Sequence, residues 1–525
     1  MTGSLGYTIA VLIVLWLSGY PIARLLVPAD RQQTAESLLR LGASLLLGCL
    51  LFSVLLYLRL AVGARWTVAY WVAVWSVHAG LALAAIVLLV RDRRYWIALW
   101  RNAAPSARIA VAATGAVLLS AAVVGGHLGL LGYDARAIYG LKAKVLAEQG
   151  MLTDVDFRDV HRLHFMPGYP LLVPILEAQV FRLSGNASDQ GLPLLFWAFL
   201  TANVILWASY VARFDRTAAA WLTLFFALTP WLWKFSEGAG LSGSADVVLT
   251  AYLLAAAVCA ARSTTEKGYR YALVCGLAIA GAMAVKQEGV LWCGLILTTL
   301  GLTWIVDWRR RRCAPARSAG ESLLAEGIGT NVNVGRRWKS LTNFGIVTVT
   351  GLSMIVLLRM VHGDIPRSPL YRSYFQALSW DWLGHCVGRI PQIASFAVAE
   401  CVNNVWGFGW GALFLSLMLK RNRPVSTEAT FLRLLTTLGA ASYLAVFLVT
   451  PYPLTYHLFT AFRRLMFHIY PVAMLVLAEQ VMAAGIVGEL GRVFRFGTLR
   501  TANEKPVSNN GVAQTLGPDP LEKAA

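Results

Sequence analysis

Runs of about 20 apolar residues recur along most of the chain, each closed off by charged or turn-forming residues. A backbone inside hydrocarbon must satisfy its own hydrogen bonds, so runs of this length read as helices that cross a membrane. We count about thirteen, near residues 5–23, 38–58, 67–90, 109–131, 191–212, 218–235, 243–261, 270–286, 289–306, 341–360, 402–419, 428–449 and 465–487. With 57% hydrophobic and only 14% charged residues, and a mean hydropathy of +0.60, the chain has the bilayer as its main solvent. The expected fold is an all-α integral membrane bundle.

A formal net charge of +19 would suit a nucleic-acid binder if the basic residues formed one surface, but they are dispersed between spans. Clusters fall at Arg91, Arg93, Arg94 and Arg101, at Arg213 and Arg216, at Arg262, Lys267 and Arg270, at Arg309 to Arg312, and at Lys420, Arg421 and Arg423. Counted alternately through the spans, all lie on one side, which the positive-inside rule makes the cytoplasm. The expected partners are therefore membrane lipids and no nucleic acid, with the amino terminus outside and the carboxyl terminus inside. The first apolar run lacks a basic leader and a small-residue cleavage site, so it reads as a retained span. The seven cysteines are scattered without a CxxC pair and read as small buried hydrophobes.

The chain divides into N-terminal spans over 1–108, a main transmembrane unit over 109–490 with a long first exterior loop at 132–190, a polar cytoplasmic linker at 307–340, and a polar tail at 491–525. In the first exterior loop, Ala137, Ile138, Leu141, Val145 and Leu146 recur at helical spacing with Lys142 and Lys144 on the other face. Together with Tyr169 to Leu183 this predicts two amphipathic helices lying at the membrane surface. A later exterior loop, His362 to Cys401, is rich in aromatics and arginines, among them Tyr371, Arg372, Tyr374 and Arg389.

Polar chemistry collects on the exterior side. Asp134, just past an apolar run, is the leading candidate, because a carboxylate beside lipid is costly to keep. Tyr133, Lys142, His164 and Tyr169 share its loop; Asp246 follows a Gly- and Ser-rich turn; Lys286 and Glu288 sit in a tight break between spans; Arg463, Arg464 and His468 open the last span. A structural alternative accompanies each. Asp134 could pair with Arg136 or Lys142, His164 could sit in a proline turn, Asp246 could cap a helix, Lys286 could pair with Glu288, and the arginines could anchor the interface. Carboxylates and cations at one membrane boundary suit transfer from a lipid-phosphate donor to a hydroxyl: a carboxylate takes the proton, and cations stabilise the departing phosphate oxygen.

The string Tyr133-Asp134-Ala135-Arg136-Ala137-Ile138-Tyr139-Gly140-Leu141-Lys142-Ala143-Lys144, with His164, Tyr169-Pro170, Ala245-Asp246, Lys286-Gln287-Glu288-Gly289, Arg464-Leu465, His468 and Pro471, resembles bacterial polytopic glycosyltransferases of the GT-C fold, a group that includes protein mannosyltransferases and aminoarabinose transferases. The resemblance implies inverting transfer of a sugar from a polyprenyl-phosphate donor, on the exterior face of a bacterial inner membrane, to a cell-envelope glycan, lipid or protein. It implies Asp134 as the catalytic acid of the first loop, Lys286, Arg463 and Arg464 as donor-phosphate partners, and a divalent metal as an optional cofactor, with Asp134 and His164 as its candidate ligands. The chain departs from the family pattern where a Lys-Pro-Pro segment is replaced by His164 and Tyr169-Pro170. The alternatives are a lipid-linked glycan ligase or polymerase, and a non-enzymatic lipid-linked sugar flippase or transporter, which would carry charges near the midplane.

Overall fold

In the computed structural model, the described residues are 3–27, 33–151, 166, 168–265, 269–312, 326–362, 380–422 and 424–486. They form helices α1 (Gly3–Leu26), α2 (Gln33–Ala61), α3 (Val68–Arg101), α4 (Pro105–His127), α5 (Leu141–Gln149), α6 (Leu172–Ser184), α7 (Pro193–Val211) and α8 (Arg216–Ala227), followed by α9 (Ala245–Ser263), α10 (Tyr269–Val285), α11 (Glu288–Arg312), α12 (Glu326–His362), α13 (Trp380–Cys401), α14 (Gly409–Leu417) and α15 (Thr427–Val449). The last helix, α16 (Leu454–Ala483), contains a π-helical turn at Leu458–Phe462. No strand occurs among the described residues.

Ten of these helices are long and apolar enough to cross a membrane, so the protein is an all-α, multi-pass membrane protein. Three expected spans are not among these ten. The run at 270–286 forms the 17-residue α10. The runs at 218–235 and 402–419 yield α8, of 12 residues, and α14, of 9 residues, or ~18 and ~14 Å of helix. Pro230 opens a 3-10 turn after α8, and Gly407, at φ +58°, separates the turn Asn404–Trp406 from α14. The two breaks pack together, with the Trp231 and Trp406 rings 6.0 Å apart. Much of the expected linker continues its flanking helices, α11 to Arg312 and α12 from Glu326; residues 313–325 and the expected tail at 491–525 lie outside the described residues.

The centre of the bundle is α9, in which every residue is buried. Its alanine-rich stretch lets α7, α10 and α16 approach closely. The outer helices reverse the soluble pattern: α3, α4 and α12 turn Leu83, Val87, Ile109, Leu119, Val349 and Val356 outward, as lipid-facing helices must. At one end of the bundle lies a layer of ion pairs, Arg262–Glu36 (2.6 Å), Arg213–Glu428 (2.5 Å) and Arg421–Glu479 (2.7 Å).

The segment after α4, residues 132–190, differs from its amphipathic reading. Helix α6 buries every side chain from Leu172 to Phe181, so it is enclosed by protein. Lys142, expected on the polar face of α5, is fully buried. The cause is local: Asp134–Gly140 is π-helical, and its wider turn rotates everything downstream relative to a 3.6-residue repeat.

Candidate functional site

Asp246 lies in the first turn of α9, where the helix N-terminus favours negative charge. Its carboxylate is inaccessible to solvent and is held from three directions. Lys286 Nζ donates to Oδ1 at 2.8 Å, Arg464 Nε donates to Oδ2 at 3.2 Å, and His468 Nε2 lies 2.9 Å from Oδ1. Because an ionised carboxylate only accepts, Nε2 donates to Asp246; in that tautomer of the neutral ring, Nδ1 accepts from Tyr443 Oη at 2.9 Å. Tyr443 Oη in turn accepts from Trp292 Nε1 at 2.7 Å. A continuous polar chain thus runs from α11 through α15 and α16 to the head of α9.

Arg464 extends this network outward. Its Nη2 lies 3.0 Å from Asp246 Oδ2 and 2.6 Å from Asp134 Oδ2, so one guanidinium joins a sealed carboxylate to one that is 17% exposed. The structural pairing expected for Asp134 is replaced by this distant partner. Arg136 donates instead to the Leu130 carbonyl and lies 4.0 Å from Asp189. Gly238, at φ +78°, is what allows Arg464 so close to the loop before α9, since a Cβ there would sit 2.1 Å from Arg464 Cγ. Glu237 is pressed against Gly132, and burial, with Asp134 adding to it, pushes its carboxyl above the usual range.

Lys286 follows the last residue of α10, and Glu288 begins α11, with the two charged groups 3.6 Å apart. Burial works against the Lys286 ammonium, but Asp246 and Glu288 outweigh it and raise its pKa. Beside it, Gln287 Nε2 donates to the Gly168 carbonyl at 3.4 Å, tying the Lys286 break to the loop before α6. Lys142 holds the same loop from below, donating to the carbonyls of Met166 at 2.6 Å and Tyr169 at 3.4 Å, with its ammonium 5.7 Å from the centre of the Tyr169 ring. Burial alone pushes Lys142 down to about 7.

Arg463 belongs elsewhere. It donates bidentately to Glu400, at 2.5 and 2.8 Å, and stacks over Trp231 at 5.0 Å. The pair borders a cleft of about 210 Å³ whose other walls include Phe396, Leu458 and Phe459. Tyr133 is exposed, and His164, Tyr371, Arg372 and Tyr374 lie outside the described residues. Of the two candidate metal ligands, then, Asp134 is bound by Arg464; among the described residues no group of three or more His, Cys, Asp or Glu side chains is placed to hold a metal ion.

The structure therefore joins Asp134, Asp246, Lys286, Glu288, Arg464 and His468, with Tyr169 and Lys142 at the margin, and separates Arg463 from them. Sequence reasoning missed Tyr443, Trp292 and Glu400. Tyr443 and Trp292 are uncharged and lie inside apolar runs, where nothing sets them apart from packing or interface aromatics. Lys286, Arg464 and, through Arg464, Asp134 all meet Asp246 at one end of the bundle. Arg262, in the opposite ion-pair layer, is 16 residues further along α9, or ~24 Å.

No family model, curated protein or solved structure matches the chain.

Proposed function

We propose that this protein is an inverting membrane glycosyltransferase of the GT-C type, moving a sugar from a polyprenyl-phosphate donor to a hydroxyl acceptor on the exterior face of a bacterial inner membrane. The observation that carries the reading is the Arg464 bridge between Asp134 and Asp246. The acceptor oxygen bonds to the anomeric carbon as the bond from that carbon to the phosphate oxygen breaks, and the electron pair leaves with the phosphate. Asp134, the accessible carboxylate, takes the acceptor's proton. Arg464 uses Nε and Nη2 on the two acids, which leaves the donors on Nη1 for a phosphate oxygen that gains charge. Asp246, Lys286 and His468 hold that guanidinium in place rather than meeting the donor themselves.

The polyprenyl chain enters sideways from the bilayer, and the acceptor is a glycan, lipid or protein of the cell envelope. Placement of the charges at the two ends of α9, with no charged residue between Asp246 and Arg262, supports this reading over a flippase or transporter, which needs them near the midplane and access from both sides. The test is sugar transfer by membranes carrying Asp134→Asn, compared with the parent at equal folded protein. Loss of transfer with an unchanged melting temperature supports the assignment, and near-normal transfer defeats it. Labelling of single cysteines around Asp246 from the cytoplasmic side would favour the transporter.

A further inference from the structure

Near Asp134 lie two buried polar atoms that have no hydrogen-bond partner among the described residues. One is the hydroxyl of Tyr139, whose side chain is fully buried. The other is Oε1 of Glu237. They reach the site from different elements, Tyr139 from the π-helical turn that starts with Asp134 and Glu237 from the loop that packs on Gly132 and whose next residue, Gly238, meets Arg464. Bonding from i to i+5 in that turn swings residue 139 toward the face of residue 134, whereas an α-helix would place it on a different side. The ring of Tyr139 lies 6.4 Å from that of Tyr169, and its phenol is within electrostatic reach of Asp246, Asp134 and Glu288. An unmade hydrogen bond in such a place is costly, so an orphan donor and an orphan acceptor beside one catalytic candidate point to a ligand that supplies both complements.

Charge selects the ligand. Four carboxyl groups, Asp134, Glu237, Asp246 and Glu288, face two cations, Lys286 and Arg464. A phosphate placed among them would add to an acidic surplus, whereas a neutral hydroxyl adds no charge and both donates and accepts. We propose that the part of the site next to Asp134 receives the hydroxyl groups of a sugar ring rather than a phosphate, with Tyr139 Oη donating to one hydroxyl and Glu237 Oε1 accepting from another. The inference deepens the transferase reading, on which it rests for what the sugar is doing there. Tyr139 and Glu237 are then specificity residues, and the phosphate stays on the Nη1 side of Arg464.

The test uses the full chain in nanodiscs and reads thermal unfolding with two kinds of probe: decyl glycosides (glucoside, galactoside, mannoside and arabinoside) and decyl phosphate. At least one glycoside is expected to raise the melting temperature of the parent. Tyr139→Phe and Glu237→Gln should each weaken that glycoside roughly three- to tenfold, the size of one lost hydrogen bond, while leaving the decyl phosphate response intact. Without probe, Tyr139→Phe should melt at or above the parent temperature, because it removes an unsatisfied hydroxyl; a structural role for that hydroxyl would lower it. A parent that no glycoside stabilises, a Tyr139→Phe protein that loses the phosphate response instead, or one with unaltered glycoside affinity would each overturn the proposal. Glycoside binding through Tyr139 in a protein that transfers nothing leaves this inference standing and defeats the transferase. Transfer by Tyr139→Phe with unchanged KM for donor and acceptor does the reverse.

Discussion

Arg463 and Arg464 are consecutive residues whose guanidinium groups serve different acids: Arg464 bridges Asp134 and Asp246, while Arg463 closes on Glu400 over the Trp231 ring. Successive helical residues point about 100° apart, so this one step in sequence separates the central cluster from the cleft beside Phe459. The pair supplies an internal control, two arginines in equivalent sequence context with only one at the proposed site.

Replacing the two in turn should therefore give opposite phenotypes. Arg464→Ala leaves Asp134 and Asp246 without their shared cation and is expected to cut sugar transfer by about a hundredfold or more, the scale seen when a group that stabilises transition-state charge is removed. Arg463→Ala should leave transfer per folded molecule within about threefold of the parent and reduce stability by about 1–3 kcal/mol, because Arg463 is partly open but its partner Glu400 is buried and keeps only the Trp406 indole as a donor among the described residues. Transfer assays on membranes, normalised to folded protein, with thermal unfolding in detergent, measure both. Equal loss of transfer in the two variants would return Arg463 to the site.

That divergence also marks how far the sequence can be read. Asp134, Lys286, Arg464 and His468 are legible because each is a polar residue at the end of an apolar run, where lipid makes such a residue expensive. Asp246 is legible only as a loop charge or cap, and its place as the hub depends on two distant elements, α16 with Arg464 and His468 and the break after α10 with Lys286. The inward turn of Lys142 follows from a π-helical turn that a 3.6-residue pattern cannot reveal. The half-length α8 and α14 lie within runs whose average hydropathy hides Pro230 and Gly407. Tyr139, Tyr443 and Trp292 carry no charge, so no periodicity separates them from packing residues.

Gly238 offers a test of Arg464 placement that leaves every ionised group in the chain. Its φ of +78° is strained for any side chain, and a Cβ would fall 2.1 Å from Arg464 Cγ. Gly238→Ala must shift either the loop or the arginine. Displacements on the order of 1 Å at a reacting centre cost about a hundredfold, so transfer should fall by ten- to a hundredfold, with about 1–2 kcal/mol lost from stability. A transfer rate in Gly238→Ala equal to that of the parent would show that the Arg464 bridge tolerates movement and is not a precise catalytic element.

The opposite end of α9 should behave as structure alone. Arg262 donates to Glu36 at 2.6 Å and to the Ser209 carbonyl at 2.9 Å, with both charged side chains sealed from solvent. Arg262→Met takes the buried cation away from the buried Glu36 carboxylate, which costs about 3–5 kcal/mol. Yield and melting temperature should drop sharply, while transfer per folded molecule stays at the parent value. A selective loss of transfer at normal stability would mean that the two ionic layers of α9 are coupled in function.

Lys142 makes the pH dependence of stability a readout of the first exterior loop. Burial holds its folded pKa at about 7, below the ordinary lysine value of about 10.5. Between those two values the unfolded chain binds a proton that the folded chain does not, so stability attributable to Lys142 rises with pH through this window. It is fully present above about 10.5 and is lost as pH falls toward 7, where the ammonium must be accommodated against the Met166 and Tyr169 carbonyls. Glu237, whose pKa is raised, contributes with the opposite sign, losing stability as pH rises past the ordinary carboxylate range, so the comparison has to be made against a variant rather than read from the parent alone. Lys142→Met keeps the stem and removes the titrating group. The difference in melting temperature between parent and Lys142→Met should move in the parent's favour from pH 7 to pH 10, and thermal unfolding in a pH series measures it. A difference that stays flat across that interval would mean that Lys142 remains an ordinary protonated lysine and that its hold on the Met166 carbonyl is charge-assisted throughout.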